Sequence, residues 1–240
     1  MAGRAVQAGA AGADKTIMAS TLGLVSAGCV LGAVAVVGHW STRRRDAIGR
    51  PRAFPVWSIT LLAVLALAAA VPGAQRRAHE HRLARVAGNL VGHQVTVHCQ
   101  TTTGAMVDSG AELGYVRFDA DGDPEPATTL KRDPCRDLKH YVKGGKAQPS
   151  LNEVVAVHVL THEAMHLRGE TNEAWAECEA VQRDALTASL LGASPEQAMA
   201  LAQRYWTAVY PLMPDEYRTT ECGPGARLDE RLTSAPWAAG

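Results

Sequence analysis

The sequence is short of aromatic side chains and has no excess of charge of either sign. Trp, Tyr and Phe make up 5% of its 240 residues, and 24 Lys and Arg are balanced by 24 Asp and Glu. Without a basic excess, or a stretch interleaving basic and aromatic residues, nothing predicts a nucleic-acid partner. No two of its five cysteines stand as CxxC, which argues against a structural zinc knuckle. No internal repeat is present, so a solenoid is not expected. A calcium loop is also missing. Asp119, Asp121 and Asp123 have suitable spacing, but Pro124 stands where the loop needs Gly and no Glu closes it, so a turn is expected.

What is present begins with two long apolar runs, Thr16–Val37 and Phe54–Ala74, neither holding a charged residue. Each reaches the ~20 residues that a helix needs to cross the hydrocarbon layer. Two transmembrane helices are therefore expected over 16–74, after a disordered Ala/Gly-rich N-terminus, 1–15, and before a short helical connector, 75–90. A cleaved signal peptide is the alternative for the first run, but a long, weakly basic flank and the second run argue against it. Orientation is left nearly balanced by charge. The loop "STRRRDAIGRPR" carries five Arg, and "QRRAHEHRLAR" after the second run carries four.

Cysteine usage leans one way. Cys29 falls inside the first run, whereas Cys99, Cys135, Cys178 and Cys222 all follow the runs. Four cysteines in a domain of this size suit two disulfides and an oxidising compartment, which predicts an extracytoplasmic domain at the cell membrane. Chain order favours Cys99–Cys135 and Cys178–Cys222; four buried thiols are the alternative.

Residues 91–240 are expected to form one α+β domain, predominantly helical. "HQVTVHCQ" alternates like a strand, "GYVRFDADGDPE" reads as a strand entering a turn, and "DPCRDLKHYVK" as a short helix. Three helices should follow, over Leu151–Arg168, Thr171–Leu191 and a third from Pro195 to about Tyr210. Ser194 and Gln197 supply a capping box for the last of these. The tail to Gly240 should be irregular.

The densest chemistry lies in "VHVLTHEAMHLRGETNEAWAEC", residues 157–178. His162 and His166 are four apart, so on a helix both imidazoles face the same way and can reach one ion. Glu163 then sits beside that ion, where a carboxylate can activate water. Glu173, seven residues past His166, would be stranded ~10 Å along an unbroken helix. Gly169 must therefore end the first helix and turn the chain back. Glu177 shares a face with Glu173 and could hold a ligating histidine. His158 is ~12 Å from His166 along the axis, too far to share its ion, and is expected to line the pocket or accept a hydrogen-bonding role. Cys178, five residues past Glu173, points elsewhere, and a bridge to Cys222 would pin the tail across this helix. Tyr205, Tyr210, His140 and Arg168 are candidates for stabilising an oxyanion.

"HEAMH" followed by "NEAWAEC" resembles the zincin metallopeptidases of the gluzincin type, including small bacterial membrane-anchored proteins of that kind. The resemblance covers about residues 155–180. It implies a zincin-like domain in which His162, His166 and Glu173 bind Zn2+, Glu163 is the general base, and Glu177 stands where the family has a supporting Asp. Two departures stand out. The interval from motif to Glu is shorter than in thermolysin-like enzymes, and Asn172 occupies the place of the third His in the related pattern HExxHxxGxxH. Glu177 and Glu170 are the reserve ligands. The expected activity is hydrolysis of a peptide or protein substrate by an enzyme anchored in the lipid bilayer. The alternative is a non-catalytic membrane protein whose extracytoplasmic domain binds metal or a partner.

Overall fold

The computed structural model describes residues 11–45, 48–101, 110 and 112–238. The chain divides into two units, Met1–Ala78 and His79–Gly240.

The first unit is built on two helices, α1 (Ala11–Thr42) and α2, which begins at Val56. Over Leu24–Thr42 and from Val56 onward both are long and apolar enough to cross a membrane. Leu24, Leu31, Val34, Trp57, Leu61 and Leu67 are exposed on them. The Ser26 hydroxyl donates to the Ala66 carbonyl (3.3 Å), and a Cβ on Gly32 would meet Leu62 at 3.6 Å, so small residues let the two helices approach. Helix α1 starts at Ala11, inside the segment expected to be disordered, consistent with the high helix propensity of its alanines. Residues 1–10 lie outside the described ones.

The expected connector 75–90 is no separate element. Helix α2 continues to Val91, and its last turns bury Leu83, Val86, Ala87 and Leu90 at helical spacing in the core of the second unit.

That unit holds a three-stranded sheet in the order β1-β3-β2: β1 (Thr96–Cys99) runs parallel to β3 (Pro124–Leu130), and β2 (Gly114–Phe118) antiparallel to it. Strand β3 was not expected, since "PEPATTL" carries two prolines. They are tolerated because β1 pairs only with Ala127–Leu130, while β2 slips register between Val116 and Phe118 beside them. The carboxylate expectation at 119–123 holds as a turn: Asp119 Oδ1 accepts from the amides of Asp121 and Asp123, both 2.9 Å.

Five helices complete the unit: α3 (Arg132–Lys143), α4 (Leu151–Leu167), α5 (Glu173–Val181), α6 (Asp184–Leu190) and α7 (Pro195–Ala208). Helix α4 opens on a capping box between Ser150 and Glu153 and is buried on nearly every side from Val154 to Leu167, so it is the axis around which the others pack. Helix α7 opens on the Ser194–Gln197 box and ends at Ala208, followed by a 3-10 turn at Tyr210–Leu212. The chain is thus mostly helical with a small sheet, compatible with α+β.

One expectation is corrected. The single helix foreseen over 171–191 is broken at Gln182–Arg183. The Gln182 side-chain amide donates to the carbonyls of Cys178 and Leu228, and its oxygen accepts from the Glu230 amide. Arg183 pairs with Glu230. These bonds to the tail hold the break, with neither Gly nor Pro to announce it. Cys99 with Cys135, and Cys178 with Cys222, stand at disulfide distance with Cα separations of 5.7 and 5.6 Å, as chain order suggested.

Candidate metal centre

Helix α4 ends where the sequence required. Arg168 is its C-cap and Gly169 takes φ +101°, a conformation open to glycine. The Gly169 amide donates to the His166 carbonyl (2.9 Å) and the Glu170 amide to the Met165 carbonyl (3.2 Å), the paired bonds of a Schellman stop. The chain then re-enters a helix at Asn172, whose side chain caps the Trp175 amide at 3.1 Å. The residue standing in place of a third histidine is therefore a cap. Glu170 is likewise committed: its carboxylate accepts from the Asn172 amide at 2.7 Å.

This turn brings three donor atoms together. Glu173 Oε2 lies 3.1 Å from His162 Nε2 and 3.3 Å from His166 Nε2, and the two nitrogens are 3.0 Å apart. The edge of a tetrahedron around an ion bound at ~2.05 Å is roughly 3.3 Å, so these separations fit one ion held by all three. The tautomer agrees. His166 Nδ1 donates to the Glu170 carbonyl at 2.6 Å, so in a neutral imidazole Nε2 would be the bare nitrogen facing the other two atoms. The loop that returns Glu173 thus also orients His166. Glu173 keeps 44% of its side chain exposed, so the cluster opens to solvent at that corner.

Glu163 is buried beside the cluster against the sheet. Its Oε2 accepts from the Thr128 hydroxyl at 3.4 Å. A Cβ on Gly114 would come within 2.7 Å of its Oε1, so any larger residue at this point of β2 would have to displace Glu163. Burial pushes the Glu163 carboxyl up to about 7, against the pull of His162 and His166.

Behind the cluster lies a buried polar network. Glu177 Oε2 accepts from His158 Nε2 at 2.9 Å and stands 3.0 Å from His162 Nδ1, although off the line of a good hydrogen bond. Glu177 Oε1 accepts from the Tyr205 hydroxyl at 2.6 Å. His158 Nδ1 donates to Asp184 Oδ2 at 2.8 Å, and the His158 ring stacks on Tyr205 with centroids 3.6 Å apart. His158 is thus a hydrogen-bonding partner and does not line a pocket.

The electrostatics follow from this arrangement. Burial opposes charge on His158, but Asp184 and Glu177 outweigh it and hold the imidazole protonated to about 10. Burial likewise opposes the Glu177 anion, yet His158 and His162 keep it well below the usual carboxylate range. Buried Asp184 is pushed up. Hydrogen bonds from His162 and His166 take Glu173 down to about 2. His162 rises to about 9 against its burial, drawn by Glu173 and Glu177, and His166 also rises. Every one of these carboxylates faces a histidine.

Of the oxyanion candidates, none points at the cluster. Tyr205 is buried on Glu177, the Tyr210 hydroxyl donates to the Thr219 carbonyl, Arg168 approaches Glu179 at 3.7 Å, and His140 is exposed on α3. Two aromatic neighbours were missed. Tyr217, in a 3-10 turn of the tail, has its ring 5.8 Å from that of His162, and Phe118 at the end of β2 lies 6.4 Å from His166. Asp184 was missed as well. No local pattern marks these residues, because long-range chain paths bring them in.

No protein-family model, curated protein or solved structure matches the chain.

Proposed function

We propose that the chain is a membrane-anchored, zinc-dependent peptidase whose second unit faces an oxidising compartment outside the cytoplasm. The observation that carries this reading is the convergence of His162, His166 and Glu173, all within 3.3 Å of one another, beside the buried Glu163 carboxylate. Two imidazoles and one carboxylate suit zinc and leave a coordination position open for water, as catalytic zinc requires. A peptide substrate is supported by β2. It is an edge strand, and among the described residues no strand pairs with its outer side. An extended chain could add there, close to Glu163, through main-chain hydrogen bonds. The cysteine pairs at disulfide distance support the oxidising side.

His162, His166 and Glu173 would hold the ion. When bound, zinc polarises a carbonyl and lowers the pKa of water. Glu163 takes a proton from the attacking water and later delivers it to the leaving amine. Thr128 hydrogen-bonds the same carboxylate, and bare Gly114 gives it room against the sheet, so its proton traffic runs in a site largely closed to bulk solvent.

The test uses the full chain in detergent, with zinc counted by elemental analysis and cleavage followed on a peptide library. One equivalent of zinc should bind, disappear in Glu173→Ala, and persist in Glu163→Gln. That last variant should lose on the order of 10²–10⁴-fold in cleavage rate. Zinc content indifferent to His162→Ala and Glu173→Ala would reject the centre. Zinc bound without cleavage of any peptide by the parent protein would reject the peptidase and leave a metal-binding module.

A further inference from the structure

The geometry points to His158 as a positioning residue for the metal centre, clamped between Asp184 and Glu177 so that Glu177 is fixed against His162. This rests on the zinc reading above and goes beyond it. His158 is outside the ligand set and too far along α4 to join it, yet both its ring nitrogens are committed, to Glu177 at 2.9 Å and Asp184 at 2.8 Å.

Three observations support a positioning role over ordinary packing. First, the network is buried throughout: side-chain exposure is 3% for His158, 1% for Glu177 and 0% for Asp184. An apolar residue at each position would avoid the desolvation of three ionisable groups, so their presence calls for a task that packing does not supply. Second, the network has a direction. Glu177 Oε2 is shared between His158 Nε2 and His162 Nδ1, while Oε1 is taken by the Tyr205 hydroxyl. Both oxygens are thereby fixed, and Glu177 is the member of the network that comes within hydrogen-bonding distance of a proposed ligand. Third, the chain breaks its helix to build the network. The interruption at Gln182–Arg183 starts a new helix at Asp184, where the carboxylate meets His158.

The contact from His162 Nδ1 to Glu177 is short but poorly aligned. A carboxylate free to rotate about its last bond would leave His162 without a fixed tautomer, and its Nε2 would then present a lone pair only part of the time. His158 removes that freedom. Tyr205 supports it twice, by stacking on the His158 ring and by holding Glu177 Oε1. Groups of this kind, one step removed from a ligand, typically alter metal affinity by about 10–100-fold.

The experiment measures zinc dissociation constants of the full-length protein by competition with a chelator, alongside Co2+ absorption spectra and the thermal midpoint of the metal-free protein. His158→Phe keeps the stack on Tyr205 and removes both hydrogen bonds. It should weaken zinc about 10–100-fold and shift the Co2+ bands. Because His158 acts through Glu177, adding His158→Phe to Glu177→Gln should weaken binding no further than Glu177→Gln alone. A purely structural histidine would lower the thermal midpoint and leave both zinc affinity and the Co2+ spectrum unmoved, which would overturn the inference. So would losses that multiply in the double variant. Should His158→Phe fail to fold, Asp184→Leu keeps the bulk and removes the bond from Nδ1; several-fold weaker zinc supports the role, and unchanged affinity overturns it. Failure of the underlying zinc reading looks different, since the parent protein itself would then bind no zinc through His162 and Glu173.

Discussion

The two units invert the usual rule of burial in opposite ways. In Met1–Ala78, leucines, valines and a tryptophan lie exposed along two helices; in His79–Gly240, histidines and carboxylates are buried around one. Each inversion would be costly in water for its own reason. Exposed apolar area forfeits about 25 cal/mol per Å² that burial would gain, and a buried charge without a partner is costlier still. Lipid around the first unit would remove its cost. In the second, the cost is offset by mutual pairing of His158, His162, Glu177 and Asp184. A residue out of place therefore points to a different solvent in one region and to chemistry in the other.

That contrast can be broken from either side. The largest effect is expected in the second unit. Glu177→Leu fills the space but takes away the carboxylate that His158 and His162 share, and removing one partner of a buried ion pair costs about 3–5 kcal/mol. Urea unfolding of the metal-free protein should show the loss; unchanged stability would mean that the polar cluster is not mutually supporting. Next comes the first unit. Leu65 lies midway along the apolar part of α2 and is 47% exposed. In a bilayer, Leu65→Arg should cost about 3 kcal/mol of insertion. Carbonate extraction of membranes should then release a larger fraction of the variant. If the substitution leaves membrane partitioning alone, as an exposed leucine on a water-soluble protein would, lipid is not the solvent of this helix.

The two regions also differ in what could be read in advance. Apolar runs announce themselves by composition, and the candidate metal cluster by a four-residue spacing plus one glycine. His162, His166, Glu173 and Glu177 were legible because each relation is local, within one helix or across one turn. The boundary between span and connector was not, since Pro72 and Gly73 mark a break there that the helix does not take, and α2 runs through them to Val91. Strand β3 hid behind Pro124 and Pro126, whose tolerance depends on which neighbour each lacks. Asp184 needed the helix break at Gln182, and that break is held by Leu228 and Glu230, more than forty residues away. Tyr217 and Phe118 reach the site from the tail and the sheet for the same reason. Contacts closed by the tertiary fold leave no periodicity in the chain.

The smallest effect tests the hinge on which the local reading turns. A Cβ on Gly169 would meet nothing within 4 Å, so Gly169→Ala introduces no clash; its cost is the backbone alone, at φ +101°. About 1–2 kcal/mol is expected for an L side chain in that region. Gly169→Asn should lose less, because asparagine tolerates positive φ. The order matters more than the size. If the turn does no more than end α4, alanine should lower the thermal midpoint and leave zinc affinity unchanged. If it also aims Glu173 and the Glu170 carbonyl, alanine should weaken zinc in proportion to the stability lost, with asparagine between alanine and the parent. A ranking by side-chain size would instead mean that space, and not backbone handedness, governs this corner of the site.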